Sequence, residues 1–131
     1  MPIQFTSGCL VASIQVELND EVLERFQFDL LEQIRGVNPH GVILDVTAVE
    51  VMDSYDFLAL RKTLSMAELM GPKTMLVGLR PGVVSALMDL DVDCEGVRGA
   101  LTLEEALSTL RPIGAELENP STLTKPDLPT N

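Results

Sequence analysis

Two short, almost wholly apolar runs constrain the fold more than any other feature: Val42-Ile-Leu-Asp-Val46 and Thr74-Met-Leu-Val77. A strand with one face in water alternates apolar and polar residues. A run that is apolar nearly throughout suits a strand covered on both faces, as in parallel sheets. Parallel neighbours need long crossovers, usually helices. The sequence between the runs supplies one, from about Ser54 to Met70, stopped by Gly71-Pro72. Phe57, Leu58, Leu60, Leu64, Ala67 and Leu69 are its expected apolar surface.

The rest of the chain extends the alternation. Residues 9–16 read as a strand, with Ile3 to Phe5 as a short partner turned at Ser7-Gly8. Asn19 or Asp20 caps a helix in which Val22, Leu23, Phe26, Leu30 and Ile34 recur at three- and four-residue spacing. Gly36 suits its C-terminal end, and Asn38-Pro39-His40-Gly41 is a turn. Arg80-Pro81-Gly82 opens a helix through Leu90. Val97 to Ala100 suits a short last strand. Thr102 and Glu105 form a capping box for a helix to about Leu110. This order predicts an α/β layer fold with a partly parallel sheet. One domain is expected over residues 1–111. Residues 112–131 hold four prolines and no aromatic residue, and are expected to form a flexible tail.

Charge narrows the partners. Twenty acidic against nine basic residues give a net charge of −11. Nucleic acid and anionic membrane surfaces both select clustered Lys and Arg, so neither is an expected partner. No apolar run approaches the length of a membrane span, and the N-terminus lacks a signal-peptide pattern, so a cytoplasmic location is expected. Cys9 and Cys94 are expected as free buried thiols.

Motifs for catalysis are weak. His40 is expected as a solvated turn residue. Asp89, Asp91 and Asp93 imitate the start of a calcium loop, but Cys94 stands where glycine is needed and Ala100 where the bidentate glutamate is needed. No metal site and no cofactor are expected. Asp45, near a strand end, is a candidate phosphoryl acceptor in a small Mg²⁺-dependent phosphoryl-transfer enzyme. The partner carboxylates and lysine of such sites have poor matches here.

The pair Asp53-Ser54 is more informative. One of the two caps the helix that follows, an interaction worth about 1 kcal/mol. A serine held at a helix N-terminus is also a place where a kinase can write about −1.5 to −2 charges. Glu50, Asp53 and Asp56 lie close in sequence, so the new charge would retune an acidic surface without unfolding it. Asp53, Tyr55 and Asp56 are the expected switch or partner-binding surface around Ser54.

The order of apolar strand, Asp45, loop, Asp53-Ser54 and amphipathic helix resembles a STAS domain, the fold of anti-sigma factor antagonists. Three stretches, Leu10–Asp20, Val51-Met-Asp-Ser-Tyr55 and Met66–Pro81, are similar to the RsbS-type single-domain scaffolds of the stressosome. The resemblance implies a STAS fold, with a central mixed sheet of about four to five strands and about four helices. It implies a non-catalytic scaffold that holds an RsbT-like switch kinase and releases it when phosphorylated on Ser54. The implied partners are RsbR-type STAS sensor proteins, the kinase, a phosphatase that resets Ser54, and further copies of the chain. A simple anti-sigma factor antagonist regulated by the same serine is the alternative, and a STAS subunit of a transport system a weaker one. Two features depart from the pattern: the long Pro-rich tail, and the carboxylate of Asp56 so close to the serine.

Overall fold

The computed structural model describes residues 2–15, 18–90 and 96–111. Five strands form one sheet: β1 (Ile3–Thr6), β2 (Cys9–Ser13), β3 (Gly41–Asp45), β4 (Lys73–Val77) and β5 (Gly99–Ala100). They lie side by side in chain order, with β1 antiparallel to β2 and every other neighbour pair parallel. Among the described residues four helices accompany them: α1 (Asp20–Val37), α2 (Ser54–Leu69), α3 (Pro81–Asp89) and α4 (Leu103–Thr109). The expected mixed α/β sheet is present, with the expected number of helices.

The topology decides which face each helix covers. The parallel strands advance in one direction, and crossovers between parallel strands are right-handed. Three successive crossovers in one direction therefore place α1, α2 and α3 on a single face. The larger core cluster joins them: Leu23, Phe26, Leu30 and Ile34 of α1, Phe57, Leu60 and Leu64 of α2, and Val83 and Leu87 of α3. These meet Leu10, Ala12, Val42, Leu44 and Leu76 of the sheet. The pleat sends alternate residues to the other face. There Cys9, Val11, Ile43, Met75 and Val77 pack under Ala106 of α4 and Leu110, the residue that caps it.

Local chemistry sets the boundaries. Ser7 and Gly8 both have positive φ (51° and 81°), the pattern of a two-residue hairpin turn whose twist matches the strands it joins. The Asn19 side chain caps α1 by accepting from the Val22 N–H at 2.9 Å. Thr102 Oγ1 caps α4 by accepting from the Glu105 N–H at 3.1 Å. The Glu105 carboxylate returns to the N–H of Leu101, one residue before the usual position.

Some expectations are corrected. Gly36 does not end α1. The helix runs on to Val37, and the left-handed residue is Asn38, at φ 50°, whose N–H reaches the Ile34 carbonyl. Asparagine tolerates that conformation better than most residues, so glycine is not required. The strand beginning at Cys9 ends at Ser13, and Val16 lies outside the described residues. Leu58 and Leu69 do not face the core: they are 45% and 89% exposed. The stripe through Phe57, Leu60, Leu64 and Ala67 fills the inward face, and its remaining buried position is Thr63. Burying that hydroxyl is tolerable because it is satisfied. It donates to the Ala59 carbonyl at 2.9 Å and accepts from Gln27 Nε2 of α1 at 2.8 Å. His40 is not a solvated turn residue. Its ring lies over Gly8, whose added Cβ would sit 1.9 Å from Cε1. Among the described residues its buried Nε2 has no hydrogen-bond partner. Cys9 is buried and free as expected. Cys94, Asp91, Asp93 and the tail from residue 112 lie outside the described residues.

Candidate functional site

The site is built where the parallel strands end. β3 finishes at Asp45, and its side chain turns back into the loop that follows. Asp45 Oδ1 accepts from the Thr47 N–H at 2.9 Å and from the Thr47 hydroxyl at 2.6 Å. Such a local turn fixes the direction of the chain leaving the strand. Two contacts from beyond β4 hold the same residue. Gly78, at φ 85°, passes so close that an added Cβ would be 2.1 Å from Thr47 Oγ1. Arg80 donates to the Thr47 carbonyl from Nε and Nη2, at 3.3 and 3.2 Å. The loop to α2 is thus anchored at its start, and Met52, buried, anchors its end.

The next residues settle which member of the Asp53-Ser54 pair caps the helix. Asp53 does. Its carboxylate accepts from the Asp56 N–H at 2.8 Å, and the Asp56 carboxylate reaches back to the Asp53 N–H at 3.5 Å. This is a capping box with aspartate in place of the usual glutamate or glutamine. Ser54 is the first helical residue. Its side chain is partly exposed and takes no part in the cap. A group added to that hydroxyl would break no capping hydrogen bond.

Tyr55 points elsewhere. It is 60% exposed, and its hydroxyl donates to the carboxylate of Asp20, the first residue of α1. The Asp20 hydrogen bond and charge push the phenol above its ordinary range, with smaller contributions from burial and from Asp56 and Glu24. The first turn of α2 is therefore tied sideways to α1.

Two depressions flank this turn. One of about 480 Å³ is lined by Gln15, Leu18, Val49 and Val51 together with the carboxylates of Glu50, Asp53 and Asp56. The other, about 500 Å³, lies between α1 and α2 and includes Asp20, Glu24, Tyr55, Leu58 and Lys62. Of the expected switch surface, Asp53 and Asp56 line the first depression and Tyr55 the second, while Ser54, in the same turn, lines neither. His40 is at the opposite end of the sheet, just before β3 begins, so it forms no constellation with Ser54. Among the described residues, no group of three or more His, Cys, Asp or Glu is placed to hold a metal ion.

The STAS domain family model matches residues 1–106. The chain belongs to the STAS domain family. Among solved structures, a chain from the molecular architecture of the stressosome, a signal integration and transduction hub, is 33% identical with a TM-score of 0.73. The match covers 84% of this chain and 96% of that one. A serine-to-glutamate variant of RsbS from Moorella thermoacetica is 32% identical with a TM-score of 0.71, covering 84% of this chain and 93% of that one. Among curated proteins, the RsbT co-antagonist protein RsbRD of Bacillus subtilis (strain 168) is 24% identical over 108 residues, 82% of this STAS chain. The alignment spans only 38% of RsbRD itself. Among the described residues of this STAS chain, no helix is long and apolar enough to cross a membrane.

The sequence alone does not point to Asp20, Thr47, Gly78 or Arg80 as parts of this site. The Asp45-x-Thr47 spacing is a readable turn signal. The other contacts join residues some thirty positions apart and leave no local trace.

Proposed function

We propose that this STAS chain is a phosphorylation-switched signalling scaffold, with Ser54 as the modified residue. The observation that carries the reading is the division of labour in the first turn of α2. Asp53 and Asp56 hold the helix end, while the Ser54 hydroxyl is left partly exposed and outside the cap. Similarity to RsbS and to a stressosome chain supports the same reading. In this account the chain assembles with RsbR-type STAS proteins and with itself, and catalyses nothing. It holds an RsbT-like kinase until the kinase phosphorylates Ser54, and a phosphatase restores the site.

The physical effect of the phosphate follows from its neighbours. A helix N-terminus favours an anion, so α2 persists. The added charge of about −1.5 to −2 enters a surface that already carries Glu50, Asp53 and Asp56. A basic group of the kinase docked there would be bound differently, and a close-packed contact would be blocked.

The Asp45 alternative is less well served by the geometry. Its Oδ1 already accepts two hydrogen bonds from Thr47, the arrangement of a loop staple.

The test is kinase retention measured by co-sedimentation. Ser54→Ala should hold the kinase in the presence of ATP, and Ser54→Asp should release it, with both variants folded. Equal retention by the two variants contradicts the switch.

A further inference from the structure

The two edges of the sheet are treated differently. Sheet edges present unpaired backbone groups and are usually kept short, charged, bulged or covered. β5 is protected by its length of two residues. β1 is four residues long, pairs with β2 in unbroken register and contains neither proline nor charge. In fact no charged residue occurs from Pro2 to Val16.

The register shows which backbone groups of β1 face outward. The Ser13 N–H donates to the Pro2 carbonyl at 3.1 Å. Hydrogen-bonded and non-hydrogen-bonded pairs alternate along an antiparallel ladder. Gln4↔Val11 and Thr6↔Cys9 are then hydrogen-bonded pairs, and Ile3↔Ala12 and Phe5↔Leu10 are not. The N–H and carbonyl groups of Ile3 and Phe5 therefore point away from the sheet. On the helix-covered face Ile3 packs partly against the core, and Phe5, two residues on, is 54% exposed.

We propose that this edge is a self-pairing surface, with β1 of a second copy of this chain as its occupant. The edge is complementary to itself. An antiparallel pairing about a two-fold axis at Gln4 sets Ile3 opposite Phe5 of the other copy, twice over. All four outward-facing backbone groups of each strand gain partners. Each exposed Phe5 ring packs on the other copy's Ile3, because directly opposed residues share a face. Like-charge repulsion between two chains of net charge −11 opposes most contacts, and the uncharged edge is where backbones can meet without adding to it. Four residues a side fall well below the roughly 800 Å² per partner of a standard interface. The pairing is therefore weak and reversible for the isolated chain. It is independent of Ser54.

The experiment is cysteine trapping in the full chain with Cys9→Ala and Cys94→Ser, because Cys9 lies directly opposite Thr6 in the hairpin and would capture a thiol placed there. The two-fold axis makes Gln4 its own partner in a non-hydrogen-bonded pair, with Cα atoms about 4.5 Å apart. That separation lies within the range a disulfide spans. Thr6 would face Pro2, which leaves the two Thr6 positions about 13 Å apart. Under mild oxidation Gln4→Cys should form a covalent dimer at least about tenfold faster than Thr6→Cys, whose thiols cannot reach each other. Adding Phe5→Lys should remove most of that advantage. Equal rates for the two cysteine positions, or a Gln4→Cys rate that Phe5→Lys leaves unchanged, overturns the proposal. So does loss of crosslinking to another occupant of the edge, such as the chain's own tail.

Discussion

Asp53 and Asp56 exchange hydrogen bonds across the first turn of α2, each carboxylate accepting from the other's backbone N–H, at 2.8 and 3.5 Å. Ser54 lies between them in sequence and contributes to neither bond. The arrangement separates the residue that stabilises the helix from the residue available for modification.

That separation is measurable. Asp53→Ala should lower stability by about 1 kcal/mol, the usual effect of removing an N-cap. Ser54→Ala should stay within about 0.5 kcal/mol of wild type, as substitutions away from structural features do. Urea unfolding followed by circular dichroism gives both values. A larger loss for Ser54→Ala than for Asp53→Ala would reverse the assignment of the cap.

Tyr55 offers a spectroscopic report, since it is the chain's one tyrosine. Its hydrogen bond to Asp20 raises the phenol above the ordinary value near 10. A raised folded-state value means that the folded chain prefers the protonated phenol. The stability it contributes is complete below about pH 10, and is lost as pH rises through the raised value. Ultraviolet titration of tyrosinate should show ionisation displaced to alkaline pH. Asp20→Asn should shift the midpoint down toward the ordinary value. An unchanged midpoint would mean that Asp20 does not govern Tyr55 in solution.

Two glycines close together in sequence should behave oppositely. Gly78 has φ 85°, and an added Cβ would lie 2.9 Å from the Thr47 Cα as well as 2.1 Å from its hydroxyl. Gly78→Ala should cost about 1–3 kcal/mol from backbone strain alone, and more if the Thr47 loop is displaced. Gly82 lies in α3 with nothing within 4 Å of the added Cβ. Gly82→Ala should be neutral or stabilising by about 0.4–1 kcal/mol. Thermal unfolding of the two variants separates them, and equal effects would contradict the close approach at Thr47.

Cys9 is fully buried, and burial pushes its thiol above the ordinary value. Because the thiolate is the reactive form, Cys9 should resist alkylation in the folded chain at neutral pH. It should react rapidly once urea unfolds the protein. Fast labelling of Cys9 under native conditions, read by mass spectrometry, would contradict its place in the sheet.

The strands and helices were legible because their signals are local. Apolar runs marked β3 and β4, three- and four-residue spacing marked α1 and α2, and Asn19, Thr102 and Pro81 marked helix starts. The errors came where neighbours decide. Leu58 and Leu69 are apolar yet lie off the face that Phe57, Leu60, Leu64 and Ala67 turn inward, whereas polar Thr63 lies on that face and is satisfied by Gln27 of another helix. Gly36 matches the preferred residue for a helix end, but Asn38 adopts the left-handed conformation two residues later. At the site, Asp53 to Asp56 were readable as consecutive residues. Their setting was not: Asp20, Gly78 and Arg80 reach it through the topology of the sheet.

The most direct test of the central claim is site mapping by peptide mass spectrometry after incubation with an RsbT-type switch kinase and ATP. The account predicts one phosphate on Ser54 and none on the Ser54→Ala variant. An unmodified Ser54, with the same kinase active on another STAS substrate, would contradict it.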